Sequence, residues 1–328
     1  MGAQGRMEME KVPAAGYKIE GLWISGLQRR LTIDNLSFPF KVISSLMKAK
    51  RIIKSFRPDV AVGTGGYASG PLLRVASGMK IPSLIQEQNS FPGITNKWLA
   101  PRVNRICVAY EGMEKYFPKE KIRVTGNPVR QDIAFAEGKR EAAMKLFGLD
   151  AGKKTLLVIG GSLGARTINE SIAANLELLE KNNIQIIWQT GKGYIETAEK
   201  IFKKELGGLS AFISKMDLAY AAADMVVSRA GAISLSELAL VQKPCILVPS
   251  PNVAEDHQTK NAMALVKNGA ALLVKDSEAR DKLGKAIIDL MKDLPLQNKL
   301  STNISKLAFP DAAETIAKEV IQLVKNVK

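Results

Sequence analysis

Apolar residues in this chain come in short runs, and the polar stretches between them carry helical spacing. The runs fall at Pro58 to Val62, Ser83 to Gln86, Arg105 to Ala109 and Ile122 to Thr125, and then at Thr155 to Ile159, Ile184 to Gln189, Ala211 to Ile213, Met225 to Val227, Cys245 to Val248 and Ala271 to Val274. Short apolar strands alternating with helices predict a parallel sheet covered on both faces. The two series are separated by a charged, helical stretch around Glu137 to Lys154. The expected organisation is an N-terminal domain over 1–130, completed by a C-terminal helix over 311–328, and a second domain over 131–310. That last helix, Ala312 to Val327, carries Ile316, Val320, Leu323 and Val327 on one stripe. Before the first series the pattern is weaker. Met1 to Pro13 is polar with no apolar strand, and Ile19 to Ile24 is the first plausible one.

The helix expected over 36–56, after Pro39, has two apolar stripes. Val42, Leu46, Ala49, Ile53 and Phe56 repeat at helical spacing and suffice as a core face. Leu36, Phe40, Ile43 and Met47 make a second face, edged by Lys41, Lys48, Lys50 and Arg51. Such a face suits contact with an anionic membrane surface. The alternative is that both stripes are buried between the sheet and a neighbouring helix.

Glycines gather where the strands end. Gly63-Thr64-Gly65-Gly66-Tyr67 follows the first strand, and Gly160-Gly161-Ser162-Leu163-Gly164 follows the strand at Thr155 to Ile159. Ser228-Arg229-Ala230-Gly231 follows Met225 to Val227, and Ala232-Ile233-Ser234-Leu235-Ser236-Glu237 then opens a helix. Helix openings leave free N–H groups and a partial positive charge, which suit phosphate. Glu237, one turn in, is placed to accept from ribose hydroxyls. A tight turn with no ligand is the other reading of this last stretch, whereas the three glycines after the first strand read as a phosphate- or sugar-approaching loop.

Composition narrows the partners. Apolar content of 46% and charged content of 24% are those of a globular protein, but the formal net charge is +15. That charge implies an acidic partner: nucleic acid, an anionic membrane or a phosphorylated substrate. Aromatics make up only 6% and are not interleaved with Lys and Arg, which ranks nucleic acid last. No uncharged apolar run approaches a membrane span, so contact with lipid is expected to be peripheral. Cys107 and Cys245 lie in apolar runs and read as buried thiols. With one histidine, His257, and no Asp-x-Asp, neither a His-pair zinc site nor the aspartate metal clamp of some sugar transferases is expected; the cofactor expectation is none.

The motifs converge on a family. GTGGYASGP (63–71), EQN (87–89), TNKWLA (95–100), GNPVR (126–130), GGSLGAR (160–166), SRAGAISLSE (228–237) and DHQTKNA (256–262), in order along nearly the whole chain, resemble the peptidoglycan N-acetylglucosaminyltransferases that convert lipid I to lipid II. The resemblance implies the α/β GT-B fold, two Rossmann-like doubly wound domains. It also implies transfer of N-acetylglucosamine from UDP-N-acetylglucosamine to lipid I on the cytoplasmic face of the bacterial membrane, in cell-wall biogenesis. It assigns Asn89 to the donor sugar, Arg130 and Ser162 to the donor nucleotide, and the Ile213 backbone to uracil. It assigns Ala232, Ile233, Ser234, Leu235 and Ser236 to the pyrophosphate, Glu237 to the ribose and Gln258 to the sugar hydroxyls. Gly65, Gly66 and Tyr67 fall on the acceptor side with Leu36, Phe40, Ile43 and Met47.

Two departures accompany it. Gln86 stands where many members carry histidine. Members also open with a strand, a Gly-Gly-Thr-Gly-Gly-His loop, a helix and a second strand that this sequence does not contain, a unit of roughly 30 residues. The family's usual candidate base is the histidine of that loop. The expectation is therefore a start codon further upstream, only trace transfer by the chain as written, and no assigned base, with His257 and Glu87 as weak candidates. A related UDP-sugar enzyme such as a 2-epimerase, or an inactive UDP-sugar-binding remnant, are the alternatives.

Overall fold

The structure, a computed structural model, describes residues 1–26, 37–134 and 138–326. Leu36 and Val327, each the end of an expected stripe, lie outside the described residues. The chain divides into two compact units, residues 1–126 with Ala313–Lys328 and residues 127–312.

The first unit begins with β1 (Gly2–Ala3), a helix over Glu8–Ala14 and β2 (Gly21–Leu22), the two strands paired in parallel. The expectation of no strand before Ile19 is thus corrected. Gly2-Ala3 carries no β-branched or aromatic side chain to signal a strand. It is extended because it pairs with Gly21 and Leu22, and because Glu8 Oε1 accepts the Ala3 N–H at 3.0 Å. β3 (Ala61–Gly63), β4 (Ser83–Glu87), β5 (Arg105–Val108) and β6 (Ile122–Val124) form a second, all-parallel sheet in sequence order. The helix over Ala312–Lys325 lays Leu323, Ile316 and Val320 against Leu84 and Cys107 of this sheet, and Glu319 pairs with Arg105 at 3.0 Å.

The helix expected over 36–56 runs from Phe38 to Phe56, with Pro39 in its first turn, where a missing N–H costs nothing. Its core face differs from the expected stripe. Ala49 and Ile53 are buried, but Phe56, the last helical residue, is 80% exposed, and Ser45 takes an inward place instead. Ser45 is buried without penalty because its hydroxyl donates to Val42 O at 2.8 Å. The second stripe is not buried: Phe40, Ile43 and Met47 are 68%, 55% and 61% exposed.

The second unit holds β7 (Lys154–Ile159), β8 (Ile184–Gln189), β9 (Gly207–Ser210), β10 (Met225–Ser228), β11 (Cys245–Leu247) and β12 (Leu272–Leu273). All pair in parallel, in the order β12-β11-β10-β7-β8-β9. Leu156, Val158, Ile186 and Trp188 are fully buried between the helical layers. The strand expected at Ala211 to Ile213 lies instead at Gly207–Ser210. Apolar pattern favours the wrong three residues because Gly207 has no side chain to read. A Cβ there would sit 2.4 Å from Ile186 O, so the edge strand can begin its pairing with β8 at this position only with glycine.

Candidate functional site

The topology of the second unit fixes where a ligand can sit. Connections run outward from β7 through β8 to β9, then return to β10 beside β7 and continue the other way. The loops after β7 and β10 therefore diverge, leaving a crevice at the C-terminal strand ends, where open α/β sheets take their ligands. Register aligns the exits: Ile159 pairs with Gln189 and with Ser228, and Ser228 with Leu247.

The loop after β7 is Gly160 to Gly164, with Ser162 exposed. It is shaped by the loop after β8. Gly164 has a φ of +80°, and a Cβ on it would lie 2.0 Å from Thr190 O; a Cβ on Gly191 would lie 2.3 Å from Leu163 O. Two backbones thus meet with no room for a side chain. Gln189, buried at the end of β8, closes the junction by donating from Nε2 to Gly161 O at 3.1 Å and accepting at Oε1 from the Ile213 N–H at 2.9 Å. The expected uracil reader, Ile213, is therefore tied to the expected phosphate loop. Its N–H is engaged, which leaves its carbonyl as the backbone group able to accept from a ligand.

After β10 the chain turns at Gly231 into the helix Ala232–Val241, whose first turn has no capping side chain. Ala232, Ile233 and Ser234 hence bring backbone N–H groups to the crevice. Leu235 is buried in the helix seat and its N–H already donates to Gly231 O at 3.0 Å, so it offers a ligand neither side chain nor N–H. Ser236 donates its hydroxyl to Ala232 O at 3.1 Å and accepts from Asn127 Nδ2 at 3.1 Å. Glu237 Oε2 accepts from the Tyr220 hydroxyl at 2.9 Å. Burial raises the Glu237 carboxyl above its ordinary value, Tyr220 and Arg130 pull it back down, and Asp132 raises it. Arg130 is thereby brought near Glu237, and it also pairs with Asp132 at 3.8 Å. Gln258 stands in the first turn of the helix His257–Val266, and its Oε1 accepts the Ser250 N–H at 2.9 Å, which pins the loop after β11.

In the first unit, Glu87 ends β4 and is 2% exposed. Its Oε1 accepts from the Asn89 N–H at 3.0 Å and from Asn89 Nδ2 at 3.3 Å, and its Oε2 accepts from the Gly93 N–H at 3.1 Å and from Asn96 Nδ2 at 2.7 Å. A buried carboxylate whose two oxygens hold four donors is a scaffold for the Asn89 loop, not a group open to a substrate proton. This corrects Glu87 as a candidate base. Gln88 Nε2 donates to Thr64 O at 2.7 Å, joining this loop to the glycine stretch after β3. That stretch is shorter than expected: the helix Gly66–Gly78 begins with Gly65 as its cap, so Gly66 and Tyr67 are its first helical residues. His257 is half-buried and opens its helix.

Gln189 and Tyr220 were not legible as site residues, whereas Asn127 falls within the GNPVR motif and gains its bond to Ser236 only in the fold. Gln189 ends an apolar strand, and Tyr220 is a single phenol in the alanine-rich Leu218-Ala219-Tyr220-Ala221-Ala222-Ala223. In each case a lone polar group inside an apolar run was the available signal. Among the described residues no cluster of three or more His, Cys, Asp or Glu could hold a metal ion.

Comparison with known proteins follows the same division. Residues 1–108 match the glycosyltransferase family 28 N-terminal domain and residues 155–316 the glycosyltransferase family 28 C-terminal domain. The UDP-N-acetylglucosamine–N-acetylmuramyl-(pentapeptide) pyrophosphoryl-undecaprenol N-acetylglucosamine transferase of Cytophaga hutchinsonii is 56% identical over 326 residues, covering 99% of this chain and 88% of its own. The enzyme of the same name from Flavobacterium psychrophilum is 54% identical over 328 residues, covering 100% of this chain and 89% of its own. The crystal structure of Acinetobacter baumannii MurG aligns with a TM-score of 0.78 at 26% identity, over 98% of this chain and 89% of that one. With both halves matched and this identity sustained end to end, the chain belongs to glycosyltransferase family 28, among the N-acetylmuramyl-(pentapeptide) pyrophosphoryl-undecaprenol N-acetylglucosamine transferases with the two-domain α/β GT-B fold.

Proposed function

We propose that this chain transfers N-acetylglucosamine from UDP-N-acetylglucosamine to the 4-hydroxyl of the muramyl sugar of lipid I, giving lipid II and UDP. The observation that carries the reading is the 56% identity to the Cytophaga hutchinsonii transferase across 99% of the chain. The hydroxyl oxygen bonds to the anomeric carbon as the bond from that carbon to the β-phosphate oxygen breaks, inverting α to β. UDP leaves with the electron pair, and the hydroxyl proton passes to a base. In this reading the N–H groups at the start of Ala232–Val241, with Ser162 and Arg130, meet the charge that grows on the departing diphosphate. Glu237 accepts from the ribose, the Ile213 carbonyl from uracil N3–H, and Asn89 and Gln258 orient the sugar. His257 is given a substrate-orienting place beside Gln258. No step is assigned to a metal, so chelation is expected to leave the rate unchanged.

A membrane contact is proposed as well. Phe40, Ile43 and Met47, with Lys41, Lys48, Lys50 and Arg51 on the same helix, are proposed to dock on the anionic cytoplasmic leaflet that carries the acceptor. It is supported by the exposure of the three apolar side chains, and no helix among the described residues is long and apolar enough to cross a membrane.

The test is a radiolabelled-donor assay with a lipid I analogue. Label is expected in a β-linked disaccharide lipid, with equimolar UDP released. Release of UDP without transfer, or conversion of the donor to its 2-epimer, would overturn the assignment.

A further inference from the structure

The fully buried phenol behind Glu237 has no part in the reading above, and its geometry gives it one. Tyr220 lies on the helix Met216–Ala222 with none of its surface exposed, and its hydroxyl donates 2.9 Å to Glu237 Oε2. A buried hydroxyl needs a partner, and here the partner is a carboxylate at the rim of the crevice. Glu237 itself is only half-buried, and its Oε1 has no hydrogen-bond partner among the described residues. One oxygen is held from behind and the other is left open. We propose that Tyr220 is a positioning residue for donor binding: its O–H fixes the Glu237 carboxylate in the rotamer that accepts from the ribose diol. The proposal rests on the reading of Glu237 as the ribose acceptor.

The surroundings explain why such a brace is needed. Glu237 carries three rotatable bonds, and it sits where burial disfavours its charged form. An acid that took up a proton would keep only a neutral acceptor and lose the charge-assisted bond to the diol. The phenol donates only to the carboxylate's benefit, since burial pushes Tyr220 itself well above its ordinary value and keeps it a donor. Arg130 faces the pair with the same effect on Glu237, Asp132 opposes it, and the thiol of Cys245 lies near the phenol but stays protonated, its own value raised to about 12 by burial. Tyr220 is the one of these groups bonded directly to the carboxylate.

The experiment compares calorimetric affinities for UDP and 2′-deoxy-UDP from pH 5 to 8 in wild type, Tyr220→Phe and Glu237→Gln. Both ligands share the titration of their phosphates, so the ratio of their dissociation constants isolates the ribose contact. In wild type the ratio is expected to collapse as pH falls through the Glu237 value. Tyr220→Phe removes a bond that holds Glu237 ionised, so the midpoint of that collapse should move to higher pH. Above it, UDP binding should weaken about 3- to 10-fold while 2′-deoxy-UDP changes less. A ratio and midpoint left unchanged by Tyr220→Phe, with only thermal stability lowered, would overturn the proposal and leave the ribose assignment standing. A ratio unchanged by Glu237→Gln would overturn the ribose assignment itself. If Tyr220→Phe does not fold, 3-fluorotyrosine at position 220 serves in its place. As a stronger donor it should move the midpoint to lower pH, and an unmoved midpoint would count against the brace.

Discussion

At the residue scale, this protein separates carboxylates by what their oxygens hold. Glu87 ends a strand and Glu237 lies in the helix after one, yet Glu87 engages both oxygens with four N–H donors, while Glu237 keeps one open among the described residues. Glu87→Gln is therefore expected to disturb the Asn89 loop through a carboxamide N–H set against existing donors. Its transfer rate should fall at every pH, with no shift in the pH profile; a shifted profile would restore Glu87 as a proton acceptor. Glu237→Ala removes the proposed charge-assisted acceptor of the ribose and should cost about 1.5 to 3 kcal/mol of UDP affinity. Calorimetry giving unchanged affinity would sink that role. The cysteines contribute no chemistry. Burial raises Cys107 to about 11 and Cys245 to about 12, so both stay protonated at neutral pH.

At the element scale, the phosphate-loop geometry depends on backbone contact between the turns after β7 and β8. Gly164→Ala places a methyl 2.0 Å from the Thr190 carbonyl in a backbone region closed to alanine, so the loop must move. The left-handed strain alone is about 1 to 3 kcal/mol. Urea unfolding should show a lower midpoint at constant slope, and UDP affinity should fall with it. An unchanged midpoint would mean that the two turns are not in contact. The helix Phe38–Phe56 carries a different prediction. Each of its exposed apolar side chains contributes about 1.5 to 3 kcal/mol if buried in lipid, and each basic neighbour about 1 kcal/mol near an anionic surface. Phe40→Ser with Ile43→Ser should abolish sedimentation with phosphatidylglycerol vesicles while leaving UDP affinity intact. Sedimentation that survives both changes would place the docking surface elsewhere.

At the scale of the whole molecule, the net charge of +15 suits both an anionic donor and an anionic surface, and the two can be told apart by salt. Vesicle binding involves many screened surface contacts and should weaken steeply between low and physiological ionic strength. UDP binding, if made as proposed at helix-start N–H groups and a half-buried carboxylate, should weaken much less. Equal salt slopes would mean that the nucleotide is held chiefly by exposed charge.

The sequence by itself determined the alternation of short strands with helices, the parallel sheets and the loops that carry Ser162 and Glu237, because strand length, apolar runs and glycine position are local properties. Tertiary structure decided the rest. Gly2-Ala3 and Gly207-Gly208 are strands only because a neighbour pairs with them, while Ala211, beyond the end of β9, only accepts the Gly191 N–H at 3.0 Å. Ser45 is buried and Phe56 exposed according to which turn of their helix meets the sheet, which periodicity alone does not fix. Glu87 was legible as a carboxylate near the site, but its role depends on Asn89, Gly93 and Asn96 folding back over it. Gln189 and Tyr220 read as strand end and helix filler, since what each does is set by a partner 24 or 17 residues away in sequence. A hydrogen bond between distant segments leaves no periodic trace in the chain, and it exists only once the packing of the sheet has brought its two ends within 3 Å.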